Sequence, residues 1–317
     1  MKILFMGTPD FAVSSLRALV ESGENVIGAV TQPDKMQGRG YKLTPSPVKI
    51  CAGSYGIPVY TPKTLRGDDF AALLSQLDPD LIVVVAFGKI LPANVLEYPA
   101  YGCINVHGSL LPEYRGAAPM QRAIIDGKKI TGITTMMMDD GIDTGDMLLR
   151  REVPIGPDDD FEVIHDRLAA EGAGLLLETL AQLRAETLTR HPQSECTEEP
   201  TYAAKIEKQD CVIDFTLSAN TIHNLIRGLS PVPLAITHTP DGKLLKVISS
   251  SVPAETENRK AAIPGTVTSL DGKIEVACGA EGTGRILLNR VLPEGKGRMN
   301  AADFIRGRKI SKGDILG

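Results

Sequence analysis

Ile3-Leu4-Phe5-Met6 runs into Gly7-Thr8-Pro9-Asp10. Phe11-Ala12, Leu16 and Leu19-Val20 then recur at helical spacing as far as Gly23, and Val26-Ile27-Gly28-Ala29-Val30-Thr31 follows. A short, unbroken apolar run reads as a strand buried on both faces, and a 3.6-residue recurrence as a helix with one face on a core. Strand, helix and strand in this order predict a parallel sheet with crossover helices. Gly7 and Pro9 break the N-terminal run too early for a secretion signal.

Outward from this unit the pattern repeats. Strands are expected at 3–6, 26–31, 81–86, 104–106 and 132–138. A long helix is expected over 161–183, behind the acidic turn Asp158-Asp159-Asp160 that suits a helix N-terminus. Past about residue 188 the periodicity fades into His191-Pro192-Gln193-Ser194 and Thr197-Glu198-Glu199-Pro200, polar and proline-punctuated like a linker. Beyond it come one helix, 217–229, and short runs at 234–239, 245–250, 265–269, 274–277 and 286–292. Gly and Asp-Gly turns separate several of them, which predicts a small antiparallel barrel. The expected organisation is an α/β domain with a Rossmann-like parallel sheet over 1–188, a linker over 189–204, and a small OB-like β-barrel domain over 205–317. A chain of 317 residues has room for two cores.

Composition narrows the function. With 43% hydrophobic and 23% charged residues and no apolar run of bilayer length, a membrane role is not expected. Cys51, Cys103, Cys196, Cys211 and Cys278 are odd in number and lack C-x-x-C spacing, so neither a disulfide framework nor a zinc cluster is indicated, and a reducing cytoplasm fits. A net charge of −5 argues against sequence-blind nucleic-acid binding by the whole surface. From Arg285 onward, however, eight basic side chains stand against three acidic ones, the local footprint expected of an RNA-facing patch.

Candidate chemistry lies at the end of the strand at 104–106, in Asn105-Val106-His107-Gly108-Ser109-Leu110-Leu111-Pro112. Ligands of open parallel sheets bind at carboxyl strand ends. Asn105 and His107 are two residues apart, so a strand points both at one place. A second polar cluster, Met138-Asp139-Asp140-Gly141-Ile142-Asp143-Thr144-Gly145-Asp146, follows the next expected strand and can bring a carboxylate to the histidine. Spacing alone does not choose among its four aspartates. The run lacks the ligand pattern of a calcium loop, and no metal is expected. Gly7-Thr8-Pro9 is not a dinucleotide fingerprint, and no Gly-x-Ser-x-Gly nucleophile is present.

Asn-x-His with Ser-Leu-Leu-Pro, followed about thirty-five residues on by Asp-x-Gly-x-Asp-x-Gly, resembles the formyltransferase family that uses 10-formyltetrahydrofolate. Further segments extend the resemblance over nearly the whole chain, to members whose acceptor is an aminoacylated tRNA. These are Phe5-Met6-Gly7-Thr8-Pro9-Asp10-Phe11-Ala12, Gln32-Pro33-Asp34 with Gly38-Arg39-Gly40, Leu43-Thr44-Pro45-Ser46-Pro47-Val48-Lys49, and Arg298-Met299 with Asp303-Phe304 and Arg306-Gly307-Arg308.

The resemblance implies transfer of the formyl group of 10-formyltetrahydrofolate to the amino group of methionyl-tRNA, the initiator tRNA. Asn105, His107 and Asp143 carry the chemistry in that reading. Asn105 and a protonated His107 stabilise the developing oxyanion, and Asp143 keeps the imidazole charged and relays the amine proton through water. The folate pocket is implied between Phe87-Gly88-Lys89-Ile90-Leu91 and the 138–143 loop. Its residues are taken as Phe87, Gly88, Ile90, Leu91, Ser109, Leu110, Leu111, Pro112, Asp139 and Gly141. The long Gly-, Pro- and Lys/Arg-bearing insertion at 32–49 reads as a functional loop, so tRNA contacts are expected from Lys35, Arg39 and Lys42, and from Arg298, Arg306 and Arg308. A monomer without an obligate protein partner is expected.

One departure is Ser230-Pro231-Val232-Pro233, where the family is expected to carry Trp between the prolines and this chain has no Trp at all. The rival readings are a formyltransferase for a small amine, an enzyme that hydrolyses or oxidises formyl-folate, and a non-catalytic tRNA-binding protein.

Overall fold

The computed structural model describes residues 1–37, 42–254, 260–307 and 309–317. The chain forms two compact units. One comprises Met1–Gly116, Ile130–Pro154 and His165–Ala203; the other comprises Ala117–Lys129, Ile155–Ile164 and Ala204–Gly317.

The opening pattern becomes β1 (Lys2–Gly7), α1 (Phe11–Glu21) and β2 (Asn25–Val30). A two-stranded hairpin follows, β3 (Lys35–Gln37) with β4 (Lys42–Thr44), then α2 (Pro47–Ser54). Ser46 caps that helix by accepting from the Lys49 amide at 3.1 Å, and Pro47 fills the first turn, where a missing N–H costs nothing. Next come β5 (Val59–Tyr60), α3 (Asp68–Leu77), β6 (Leu81–Val85), α4 (Ala93–Leu96), β7 (Cys103–His107) and β8 (Arg115–Gly116). After α5 (Pro119–Ile125) the chain returns as β9 (Ile130–Met137) and β10 (Met147–Pro154), followed by α6 (Phe161–Arg184) and β11 (Tyr202–Ala203).

The main sheet runs β10-β9-β7-β6-β1-β2-β5. From β5 to β7 its pairings are parallel, and every residue of β6 and β7 is buried, the apolar run of β6 as expected of a strand covered on both faces and Asn105 and His107 of β7 as well. Leu4, Met6, Val30, Phe70, Leu74, Ile82 and Val84 pack one of its cores. The strand expected at 132–138 is present, but it pairs antiparallel with β7. The helix before it, α5, belongs to the second unit. The chain between β7 and β9 thus supplies no crossover helix for a parallel connection, and the helix that does lie against this part of the sheet is α6, whose Thr179 hydroxyl is 2.8 Å from that of Thr135.

The stretch expected as a linker is bonded into the first unit. His191 exchanges main-chain bonds with Met147 at 2.9 and 2.8 Å, and β11 pairs in parallel with β8.

In the second unit, α7 (Ala219–Gly228) precedes β12 (Ala235–His238), β13 (Leu244–Ser251), β14 (Val267–Ser269), β15 (Ile274–Cys278), β16 (Gly284–Pro293), β17 (Met299–Asn300) and α8 (Ala301–Arg306). The sheet is antiparallel in the order β12-β13-β16-β15-β14, with β17 on β16. The last residues lie between the two end strands. Val267 N donates to the Asp314 carbonyl at 2.8 Å and Leu316 N to that of Gly265 at 2.9 Å, while Gly317 N reaches His238 at 3.3 Å. A tail rather than a strand thus links the edges of the expected antiparallel domain. The amphipathic α7 sets Ile222 and Ile226 in the core with Val247, Val276 and Leu288. A Cβ on Gly228 would stand 2.7 Å from Ile125, so the close approach of α7 to α5 requires glycine there.

Candidate active site

β7 carries Asn105 and His107, both more than nine-tenths buried, at 9% and 6% exposure. The register Ile104↔Met137 and His107↔Thr134 places the end of β9 beside Cys103, where Met138 N donates to the Cys103 carbonyl at 2.8 Å. The 138–146 loop therefore leaves at the far end of β7 from His107 and has to fold back to reach it. Two backbone features allow this. Asp143 adopts a left-handed φ of 54°, and Gly145 approaches so closely that a Cβ would lie 1.9 Å from the Met137 carbonyl.

The folded-back loop brings Asp143 Oδ2 to 3.6 Å from His107 Nδ1. The same oxygen accepts the Gly116 amide at 2.8 Å. His107 Nε2 lies 3.0 Å from the Tyr114 carbonyl, which can only accept, so Nε2 carries a hydrogen and Nδ1 is the nitrogen left for a substrate. The Asn105 amide makes no hydrogen bond among the described residues. The amide is therefore not committed to the fold and is free to meet a bound group at the strand end.

Among the loop aspartates the structure separates what spacing left open. Asp139 accepts from Gly141 N at 3.1 Å and from the Thr144 hydroxyl at 2.7 Å, so it shapes the loop; Asp140 is exposed, and Asp143 faces His107.

The residues expected around the folate fall into distinct settings. Phe87 and Leu91 are core; Gly88 turns the chain at φ 78°, and Ile90 stands 71% exposed. The Phe87 carbonyl accepts from Thr8 Oγ1 at 3.1 Å and Gln32 Nε2 at 3.2 Å, which ties the end of β6 to the turn after β1. The Ser109 hydroxyl is committed to the Glu113 carbonyl at 2.6 Å, and its own carbonyl accepts from Thr134. Leu110, Leu111 and Pro112 line a cavity of about 360 Å³ together with Glu113, Arg150, Glu152 and Glu198. Leu111 also packs with Met136 and Met147.

Lys35 is exposed at the base of the β3–β4 hairpin, and the backbone of Lys42 forms the other strand; Arg39 and Arg308 lie outside the described residues. Arg298 and Arg306 are exposed, the latter paired with Asp303. Arg285, counted above with the basic end of the chain, is buried. Its guanidinium donates to the carbonyls of Gly282, Gly284 and Lys260 and does not face solvent. Val232, at the site of the absent Trp, is 66% exposed.

Several residues that support the site escaped the sequence reading, namely Tyr114, Arg115, Gly116, Gln193 and Thr201. They contribute through main-chain groups or through contacts across many residues, and neither leaves a periodic signal. Among the described residues no cluster of three His, Cys, Asp or Glu side chains is placed to hold a metal, and no helix is long and apolar enough to cross a membrane.

Comparison with known proteins covers the full length. A formyl transferase family profile matches residues 1–180, and a profile of the formyl transferase C-terminal domain matches 205–309. The chain is 47% identical to a methionyl-tRNA formyltransferase of Geobacter metallireducens, over 100% of this chain and 99% of that one. It is 50% identical to that of Symbiobacterium thermophilum, over 99% and 94%. Among solved structures, a sugar 3N-formyl transferase, WlaRD, determined with dTDP and 5-N-formyl-THF, aligns at TM-score 0.67 and 19% identity over 94% of this chain and 99% of that one. HypX from Aquifex aeolicus in complex with tetrahydrofolic acid aligns at TM-score 0.63 and 17% identity, over 100% of this chain and 50% of that one. At these identities the structural likeness is one of fold.

Proposed function

Because the chain belongs to the formyl transferase family, we propose that it transfers the formyl group of 10-formyltetrahydrofolate to the free amino group of methionyl-tRNA, in service of translation initiation. The observation that carries the reading is the pair Asn105 and His107 on one largely buried strand, with Asp143 brought to 3.6 Å from the His107 ring and the Asn105 amide not hydrogen-bonded among the described residues. The folate is a substrate and supplies an activated formyl group.

In the transfer, the amine nitrogen bonds to the formyl carbon and the bond from that carbon to the folate N10 breaks; the amine loses a proton and N10 gains one. Asn105 donates its N–H to the formyl oxygen as negative charge builds there. His107, with Nε2–H held by Tyr114, offers Nδ1 to the same oxygen in its cationic form. Asp143 balances that cation through Oδ2 and takes up the amine proton through water. Preorganised donors of this kind contribute roughly 3–4 kcal/mol each to a developing oxyanion.

The folate is assigned to the main chain and apolar walls of Phe87, Gly88, Ile90, Leu91, Asp139 and Gly141, with Ser109, Leu110, Leu111 and Pro112 shaping the strand-end side. Lys35, Arg39 and Lys42 are assigned to the acceptor RNA, as are Arg298, Arg306 and Arg308; cations gain from phosphate contact by releasing counterions. The protein acts as a monomer in the cytoplasm, where its five free thiols are stable.

Incubation with 10-formyltetrahydrofolate and methionyl-tRNA yields formylmethionyl-tRNA on this reading. Transfer confined to amino sugars or nucleotides overturns the acceptor, and hydrolysis of the donor without transfer overturns the reaction.

A further inference from the structure

The segment from His191 to Ala203 has almost no regular structure, yet it touches the supports of both His107 and Asp143. Gln193 is 5% exposed and uses its whole side-chain amide. Nε2 donates to the main-chain carbonyls of Asp143 at 2.9 Å and Gly145 at 2.8 Å, and Oε1 accepts from Arg115 Nε at 3.0 Å and Nη2 at 2.8 Å. Eight residues on, Thr201 Oγ1 accepts the Tyr114 amide at 2.8 Å, and Tyr114 supplies the carbonyl that holds His107 Nε2. Ala203 pairs with Gly116, whose amide binds Asp143 Oδ2. At φ 113°, with a Cβ position 2.9 Å from the Ala203 carbonyl, position 116 admits only glycine comfortably.

Arg115 makes the arrangement costly to keep. It is 9% exposed and has no ion pair among the described residues; its side-chain acceptor there is the neutral Gln193 oxygen. A buried cation without an anion is unfavourable for stability alone. What Arg115 does achieve is to fix the flip of the Gln193 amide, so that both of its N–H groups face the loop. That loop needs holding, because Asp143 itself sits in the left-handed region.

We propose that the 191–203 segment is a strap over the candidate active site, and that Gln193, oriented by Arg115, is the positioning residue that sets Asp143 opposite His107. The inference rests on the role given to Asp143 above.

The test is single-turnover formylation by Gln193→Glu, Asp143→Ala and the double variant. Gln193→Glu keeps the volume and strengthens the grip on Arg115, but presents acceptors to two carbonyls. It lowers the transfer rate about 10–100-fold, with the KM of both substrates within roughly 3-fold and the thermal midpoint retained. In the double variant the Gln193→Glu penalty shrinks to less than about 3-fold, because its only route to the chemistry is gone. An unchanged rate in Gln193→Glu, or a penalty that multiplies in full onto Asp143→Ala, overturns the positioning role. Near-normal turnover by Asp143→Ala alone instead overturns the assignment of Asp143, whatever Gln193 does. Should Gln193→Glu fail to fold, Arg115→Lys, which gives up the paired donors on Oε1, is put through the same cycle with the same expectations.

Discussion

Asp143 Oδ2 serves two partners at once, the His107 ring nitrogen at 3.6 Å and the Gly116 amide at 2.8 Å. Asp143→Asn keeps an oxygen for Gly116 and loses the charge facing His107. It is expected to fold normally and to lose roughly 10²–10⁴ in kcat, the range for a positioned acid–base group. Stopped-flow or single-turnover formylation measures this, and a loss confined to KM removes Asp143 from the chemical step.

Asn105→Ala separates catalysis from stability. The amide has no partner among the described residues to lose, so removal deletes an oxyanion donor without breaking a described hydrogen bond of the fold. The expected outcome is a kcat reduced about 10²–10³-fold with an unchanged thermal midpoint. A clear drop in the midpoint would mean that the amide supports the fold instead.

Gly145→Ala tests how the loop is bent. A Cβ there would stand 1.9 Å from the Met137 carbonyl, a backbone atom of β9 that cannot move aside. Displacement of the loop costs about 1–3 kcal/mol and carries Asp143 off His107, so stability and kcat fall together. Wild-type activity in this variant contradicts the folded-back path.

His223 gives the second unit a pH dependence. Burial holds its pKa below the ordinary 6.5, against the raising influence of the Pro157 carbonyl; Arg227 lowers it further, Asp158 opposes that, and Ser250 Oγ lies 3.0 Å from Nδ1. A depressed histidine means that the unfolded chain binds the proton more readily. The stability due to the neutral ring is therefore complete above 6.5 and is lost as pH falls below it. Thermal melts at about pH 7.5 and about pH 5.5 are expected to show a larger drop for the native chain than for His223→Gln; equal drops remove His223 as the source.

Thiol labelling reports burial directly. Burial pushes the Cys103 thiol up to about 12, and its Sγ contacts the carbonyls of Val95 and Leu96, whereas Cys196 is only partly buried. Iodoacetamide is expected to modify Cys196 in the native protein and Cys103 only after denaturant, because the thiolate is the reactive species. Early modification of Cys103 would show that β7 opens.

The sheet was legible because β1 and β6 are written around unbroken apolar runs, the pattern of a strand buried on both faces. Asn105 and His107 were legible for a related reason, since a two-residue period fixes their common face before any fold is known. The direction of β9 was not legible, because periodicity carries no sign and the helix before it belongs to the other unit. Asp143 could be named only by resemblance; its choice depends on a left-handed residue and on Gly145, which bend the loop in a way spacing does not encode. Gln193 was invisible, because its partners lie 48 to 78 residues away and its neighbours read as linker. Charge counting went astray at Arg285, whose carbonyl partners come from turns rather than from a surface.

The chain visits the second unit twice, at Ala117–Lys129 and Ile155–Ile164, before staying there from Ala204 onward. No single cut therefore yields two complete halves. A chimaera that exchanges everything after residue 204 between relatives carries α7 without the α5 that Gly228 is shaped to meet, and Arg227 without the Gly156 and Asp159 carbonyls it binds. Acceptor preference can be transplanted cleanly only if those two inserts travel with the C-terminal part.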